Sequence, residues 1–147
     1  MRPDRLLAAT KVAMLLTDIG FLLYWAIACG GLIPASMAYK DYADPVMSDW
    51  NTSFLPLDLA ASVTGLLSLC RPRGWRTLMA VSLTLTSTAG LQAITFWALR
   101  GDYSMTWWVP NLFLLLFPLP ALVVLIRAVS GATTPTTDPL AERDDQR

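Results

Sequence analysis

The sequence predicts an all-α protein, a four-helix transmembrane bundle with its N-terminus and C-terminus both cytoplasmic. Three observations lead there. Of the 147 residues 54% are hydrophobic and only 15% charged, where a soluble domain carries about a quarter charged residues. Four apolar runs approach the roughly 20 residues that a helix needs to cross a hydrocarbon core of about 30 Å. The basic residues also favour alternate connections. Arg2, Arg5 and Lys11 precede the first run, Arg71, Arg73 and Arg76 join the second to the third, and Arg127, Arg143 and Arg147 follow the fourth. Only Lys40 and Arg100 fall on the other side, so the positive-inside rule puts the termini and the RPRGWR connection in the cytoplasm.

Taken in order, residues 1–11 form a basic cytoplasmic start, and residues 12–127 a single four-span membrane domain. The first span runs over about 12–33, VAMLLTDIGFLLYWAIACGGLI. It is long, holds Asp18 and ends its core in Tyr-Trp, unlike the cleaved apolar region of an export signal. An outer loop, 34–53, holds Asp41, Asp44 and Asp49 beside Tyr39, Tyr42 and Trp50. That mixture suits either a short interfacial helix over the mouth of the bundle or plain solvated charge. Pro45 disfavours helix at Asp44 and makes that residue a turn or cap. The second span, about 54–70, is short. The third covers about 75–99 and the fourth about 106–126, where Pro118 removes a hydrogen bond and should bend the helix. Pro56 and Pro110 read as first-turn prolines. Residues 128–147, rich in Thr, Pro and acids, have the composition of a disordered cytoplasmic tail.

Composition also excludes. With 11 basic and 11 acidic residues the formal net charge is zero, so no nucleic-acid partner is indicated. There is no His and no cluster of ligating residues, so no metal site and no cofactor are expected. Cys29 and Cys70 fall at opposite ends of their spans, too far apart for a disulfide.

The informative residues are the polar ones inside the spans: Asp18, Asp58, Gln92 and Asn111, one to each. An Asp near a helix centre costs about 2.5–3.5 kcal/mol on insertion scales, so such residues turn inward and find partners. At 1.5 Å per residue, Asp58 lies about 6 Å, Asn111 about 8 Å and Gln92 about 10 Å inside the outer boundary. Three helices thus bring polar groups to one level, while Asp18 lies about 9 Å from the cytoplasmic side. The bland reading is that these groups bond one another and glue the bundle. It is weaker for the acids, because no Lys or Arg stands at mid-membrane depth to pair with them. Small residues support close packing: Ala61, Ser62 and Gly65 share a face with Asp58, and Ser82, Thr86 and Gly90 form a line on the third span. Tyr24, Trp25, Trp50, Phe54, Phe96, Trp97, Trp107 and Trp108 gather toward the outer end, either as an interfacial belt or as the wall of a cavity.

Four segments, TDIGFLLYW (17–25), YKDYADPVMSDWNTSFLPLDL (39–59), GLQAITFW (90–97) and TWWVPNLFLLLFPL (106–119), resemble the YvaD-like family of small bacterial multi-pass membrane proteins. The resemblance implies a location in the bacterial cell (plasma) membrane and no particular activity. A looser similarity is to emopamil-binding and sigma-2-receptor-like proteins. It implies a sterol- or amine-binding cavity lined by Asp44, Trp50, Ser53, Phe54, Asp58 and Pro110, without the His that isomerases of that family use.

The resulting expectation is a small lipophilic ligand (isoprenoid, sterol-like or amine) in an outer-half pocket. Asp18, Asp44, Trp50, Asp58, Gln92, Trp97, Trp108 and Asn111 are its candidate contacts, and Asp58 is the candidate proton donor should the protein isomerise or cyclise its ligand. Two alternatives stand beside it. One is a small proton-coupled exporter working as an oligomer through Asp18 and Asp58; the other is an accessory subunit whose polar cluster is structural.

Overall fold

In the computed structural model, which describes residues 3–131, every regular element is a helix. They are α1 (Pro3–Cys29), α2 (Ala35–Ala38), α3 (Pro45–Thr52), α4 (Leu55–Cys70), α5 (Trp75–Leu99), α6 (Met105–Leu116) and α7 (Leu119–Gly131). Four stretches are long and apolar enough to cross a membrane: Pro3–Cys29, Pro45–Cys70, Trp75–Leu99 and Met105–Ala128. The all-helical, four-span expectation is met. The expected tail overlaps α7 at residues 128–131, and the remainder lies outside the described residues.

Two boundaries move. The first helix, described from Pro3, covers residues that were expected to lie before the first span. The second span begins at Pro45, not at Phe54. Asp44 caps α3, its carboxylate accepting from the Val46 N–H at 2.9 Å. The chain then passes from α3 to α4 through Ser53 and Phe54, both in helical conformation. Asp58 therefore sits well inside a 26-residue span.

The exterior shows what surrounds the bundle. Val12, Leu16, Leu23, Val63, Leu91, Val109, Phe113 and Ile126 are all more than half exposed. A soluble monomer rarely carries so continuous an apolar surface, whereas hydrocarbon requires it. This is a membrane protein.

The spans pack in chain order: α1 against α4, α4 against α5, α5 against both α6 and α7, and α7 back against α1. The third span is the most enclosed, with 39% of its most apolar stretch buried against 17% in the first and fourth. Small residues make that possible. A Cβ at Gly90 would stand 2.6 Å from the backbone O of Asn111 and 2.6 Å from the backbone N of Leu115, so α5 and α6 touch main chain to main chain. Away from the α2–α3 end, Met14, Met79, Leu83, Ala121 and Leu125 form a closed apolar plug.

The fourth span breaks between Leu116 and Leu119, where Pro118 was expected to bend it. The Ser87 hydroxyl on α5 donates to the Leu115 carbonyl at 2.9 Å and so satisfies backbone beside the break. Pro110 does not stand in a first turn. It lies inside α6, because that helix starts at Met105 behind the extended residue Ser104.

Candidate functional site

At the end of the bundle bearing α2 and α3 the helices enclose a cavity of about 190 Å³. All four spans contribute. Tyr24 and Trp25 come from α1, Trp50 and Asn51 from α3, Asp58 from α4, Trp97 from α5, and Trp107 and Asn111 from α6.

The walls are aromatic. Trp50 stacks on Phe96 with centroids 4.1 Å apart and meets Trp97 edge-on at 5.6 Å. Trp97 in turn lies nearly parallel to Trp107 at 6.1 Å. Alternation of ring faces and edges holds these side chains in fixed orientations. The aromatic clustering read from the sequence is thus a cavity wall as well as a crowding at one end.

The polar part is small and specific. Asp58 is buried, and its Oδ2 accepts from Trp25 Nε1 at 2.9 Å. The Tyr24 hydroxyl donates to Asn51 Oδ1 at 3.1 Å, tying α1 to α3. Asn111 spends an amide hydrogen on the Trp107 carbonyl at 2.7 Å, one turn back on its own helix. At the mouth Lys40 pairs with Asp102, bridging the α2–α3 connection to the α5–α6 connection. Its ammonium also lies 5.4 Å from the Trp97 ring centroid. The hydrogen bond and charge of Lys40 hold the Asp102 carboxyl below the usual carboxylate range. Lys40 is therefore already neutralised, and Asp58 is the one carboxylate among the cavity's lining residues.

Of the residues expected to gather at a site, Trp50, Asp58, Trp97 and Asn111 line this cavity together. Four others stand elsewhere. Asp44 is the exposed cap of α3. Trp108 does not line the cavity; it donates to the Asp102 carbonyl at 2.7 Å and lies against Tyr103. Its neighbour Trp107 takes the wall position. Gln92 is exposed. At ~100° per residue it points more than a quarter-turn away from the buried Ser82–Thr86–Gly90 line, which fixes the inward face of α5. Asp18 is fully buried but lies deeper, against Gly65 and Ser82. Of the residues implied by the looser similarity, Trp50, Phe54 and Asp58 line the cavity, while Asp44, Ser53 and Pro110 do not.

Lys40, Tyr24, Trp25 and Asn51 belong to the cavity without having been singled out as contacts. The signal for Trp25 was present, since a buried indole N–H needs an acceptor and Asp58 is the nearby acid. Lys40 and Asp102 are far apart in sequence, and only the folded connections bring them together.

Among the described residues no group of acidic or sulfur ligands could hold a metal ion. Cys29 and Cys70 are free and exposed.

No solved structure matches the chain. Among curated proteins, an uncharacterised protein of Bacillus subtilis (strain 168), YvaD, is 45% identical over 121 residues, which is 80% of this chain and 91% of that protein. The match agrees with the resemblance carried by the four segments above. Residues 10–131, from the first span to the end of α7, match the family described as a family of unknown function (DUF5360). The chain belongs to that family.

Proposed function

We propose that this protein binds a small lipophilic cation, an amine with a compact apolar body, in the outer half of a bacterial plasma membrane. The observation that carries the reading is the cavity's one carboxylate, Asp58, held by the Trp25 indole inside a wall of Trp50, Trp97 and Trp107. Indole faces attract cations, by about 2 kcal/mol or more where water is displaced. A carboxylate at the floor adds a charge-assisted partner.

Size narrows the class. A cavity of about 150 Å³ accepts benzene, so 190 Å³ suits a body of about one ring or a short isoprenoid unit. A whole sterol does not fit; a longer ligand would have to leave its tail outside the mouth. The outer-half assignment rests on the basic residues, nine of which group in the sequence with the termini and the RPRGWR connection; of these Arg5, Lys11, Arg71, Arg73, Arg76 and Arg127 lie on the helix ends and connection away from the cavity. The plasma-membrane assignment rests on the bacterial relative.

Mass spectrometry of the purified protein tests the reading, with wild type compared against Asp58→Asn and Trp97→Ala. The expected result is a co-purifying amine in the wild type, or stabilisation by added hydrophobic amines, that both variants lose. Equal behaviour of Asp58→Asn and wild type would leave Asp58 a structural group and end the proposal.

A further inference from the structure

Outside the cavity one buried acid remains unexplained. Asp18 has no exposed surface, and neither carboxylate oxygen receives a hydrogen bond. The Ser82 hydroxyl beside it is also buried without a partner. Both groups converge on Gly65: a Cβ there would stand 2.0 Å from Asp18 Oδ2 and 2.7 Å from Ser82 Oγ. Glycine at that position is what gives the carboxyl its place, and α1, α4 and α5 meet around it. A carboxylate placed in this way has no counter-ion and no donor, so its ionised form is costly and proton uptake is favoured. A metal cation would need several oxygen ligands at bonding distance and space to sit among them. Gly65 packs against the carboxyl so closely that not even a methyl group fits. A proton needs no such space, and once bound it removes the charge that these surroundings leave uncompensated.

We propose that Asp18 is an intramembrane proton-binding site, taking up and releasing one proton at the junction of α1, α4 and α5, separate from the ligand cavity. The exchange is simple: an O–H bond forms at one carboxylate oxygen when a proton arrives from water and breaks when the proton returns. The cavity is the nearer polar space. Ser62 donates to the backbone carbonyl of Asp18 at 3.2 Å and lies one turn of α4 from Asp58. On α1 the cavity residue Phe21 is one turn beyond Asp18. In the other direction the Met14, Met79, Leu83, Ala121 and Leu125 plug closes the bundle.

No other charge competes for the proton at the junction. On α4 no acid or base stands between Asp58 and the terminal Cys70, and on α5 none between Arg76 and Arg100. The Arg127 of α7 is exposed. Lys11 of α1, two turns away, lies over the Trp75 ring at 4.2 Å.

Infrared spectroscopy of the full-length protein in lipid, titrated from about pH 4 to about pH 10, tests this across the range where carboxyls and lysines ordinarily titrate. The expected result is a protonated-carboxyl C=O band that fades as pH rises. Asp18→Asn should remove it and Asp58→Asn should retain it, whether or not the cavity binds an amine. Ser82→Ala, which leaves the acid in place, should shift the band's frequency and its titration midpoint. A band unchanged by Asp18→Asn, or one that never titrates, overturns the proposal. Should Asp18→Asn fail to fold, an unshifted band in Ser82→Ala overturns it equally.

Discussion

At the scale of single residues, Trp25 and Gly65 each hold one of the two membrane acids in place. Trp25→Phe keeps the ring but removes the donor to Asp58 Oδ2. It should cost about 1–3 kcal/mol, the usual penalty for a buried polar group left unpaired, and lower the melting temperature in detergent. Gly65→Ala would drive a methyl group into the Asp18 carboxyl. A cost of about 1–3 kcal/mol is expected from such overpacking, and Asp18→Ala should restore much of it in the double variant. If the two substitutions prove additive, the close approach is not what destabilises. The identity of the acids was legible in the sequence, because a charged group in an apolar run is conspicuous wherever it points. Their partners were not. Nothing in the order of residues says that the indole at 25 reaches the acid at 58, or that the acid at 18 lies over the glycine at 65.

At the scale of elements, small residues decide how close two helices come. Gly90→Val should separate α5 from α6, because the atoms that a side chain would meet are backbone and cannot rotate away. Loss of amine binding and a clear drop in thermal stability are expected together. Ser87→Ala is gentler: it removes the hydrogen bond to the Leu115 carbonyl, and intramembrane bonds of this kind average about 0.6 kcal/mol. The spans and the break at Pro118 were readable because length, apolarity and a missing N–H act locally. The inward face of α5 was harder to read. Gln92 looked like a buried polar group, but the Ser82–Thr86–Gly90 and Ala89–Ala93–Trp97 lines give the neighbouring helices a closer approach, and packing left the amide outside. The register of α6 misled in the same way. Trp107 and Trp108 are indistinguishable in composition, and only the helix phase sends one to the cavity and the other to the α5–α6 connection.

At the scale of the whole molecule, orientation and the mouth of the cavity are the testable features. Cys29 ends α1 and Cys70 ends α4, both exposed and at opposite ends of the bundle. In intact cells a membrane-impermeant maleimide should modify a Cys70→Ser variant at Cys29 and leave a Cys29→Ser variant unmodified at Cys70. The reverse pattern would invert the proposed topology. The Lys40–Asp102 pair stands at the mouth. Because the Asp102 carboxyl titrates below its ordinary range, the pair is intact at neutral pH and is lost as pH falls through that lowered value. Acid should therefore loosen the mouth, seen as faster exchange of a bound amine. Both acid and high salt should lose their effect in Lys40→Gln. The fold class was legible as a whole because a bilayer imposes it. The cavity was legible only in outline, since its shape depends on the rotation of four helices about their axes.

Those four helices also set a birth order for the site. Its wall takes Trp25 from the first span, Trp50 from the second, Trp97 from the third and Trp107 from the fourth. A ribosome-bound chain holding three spans has the acid and most of the rings but no closing side. The cavity is therefore the last thing the chain makes, and the amine proposed for it would act as a proofreader of complete insertion, stabilising only those molecules whose final helix has arrived.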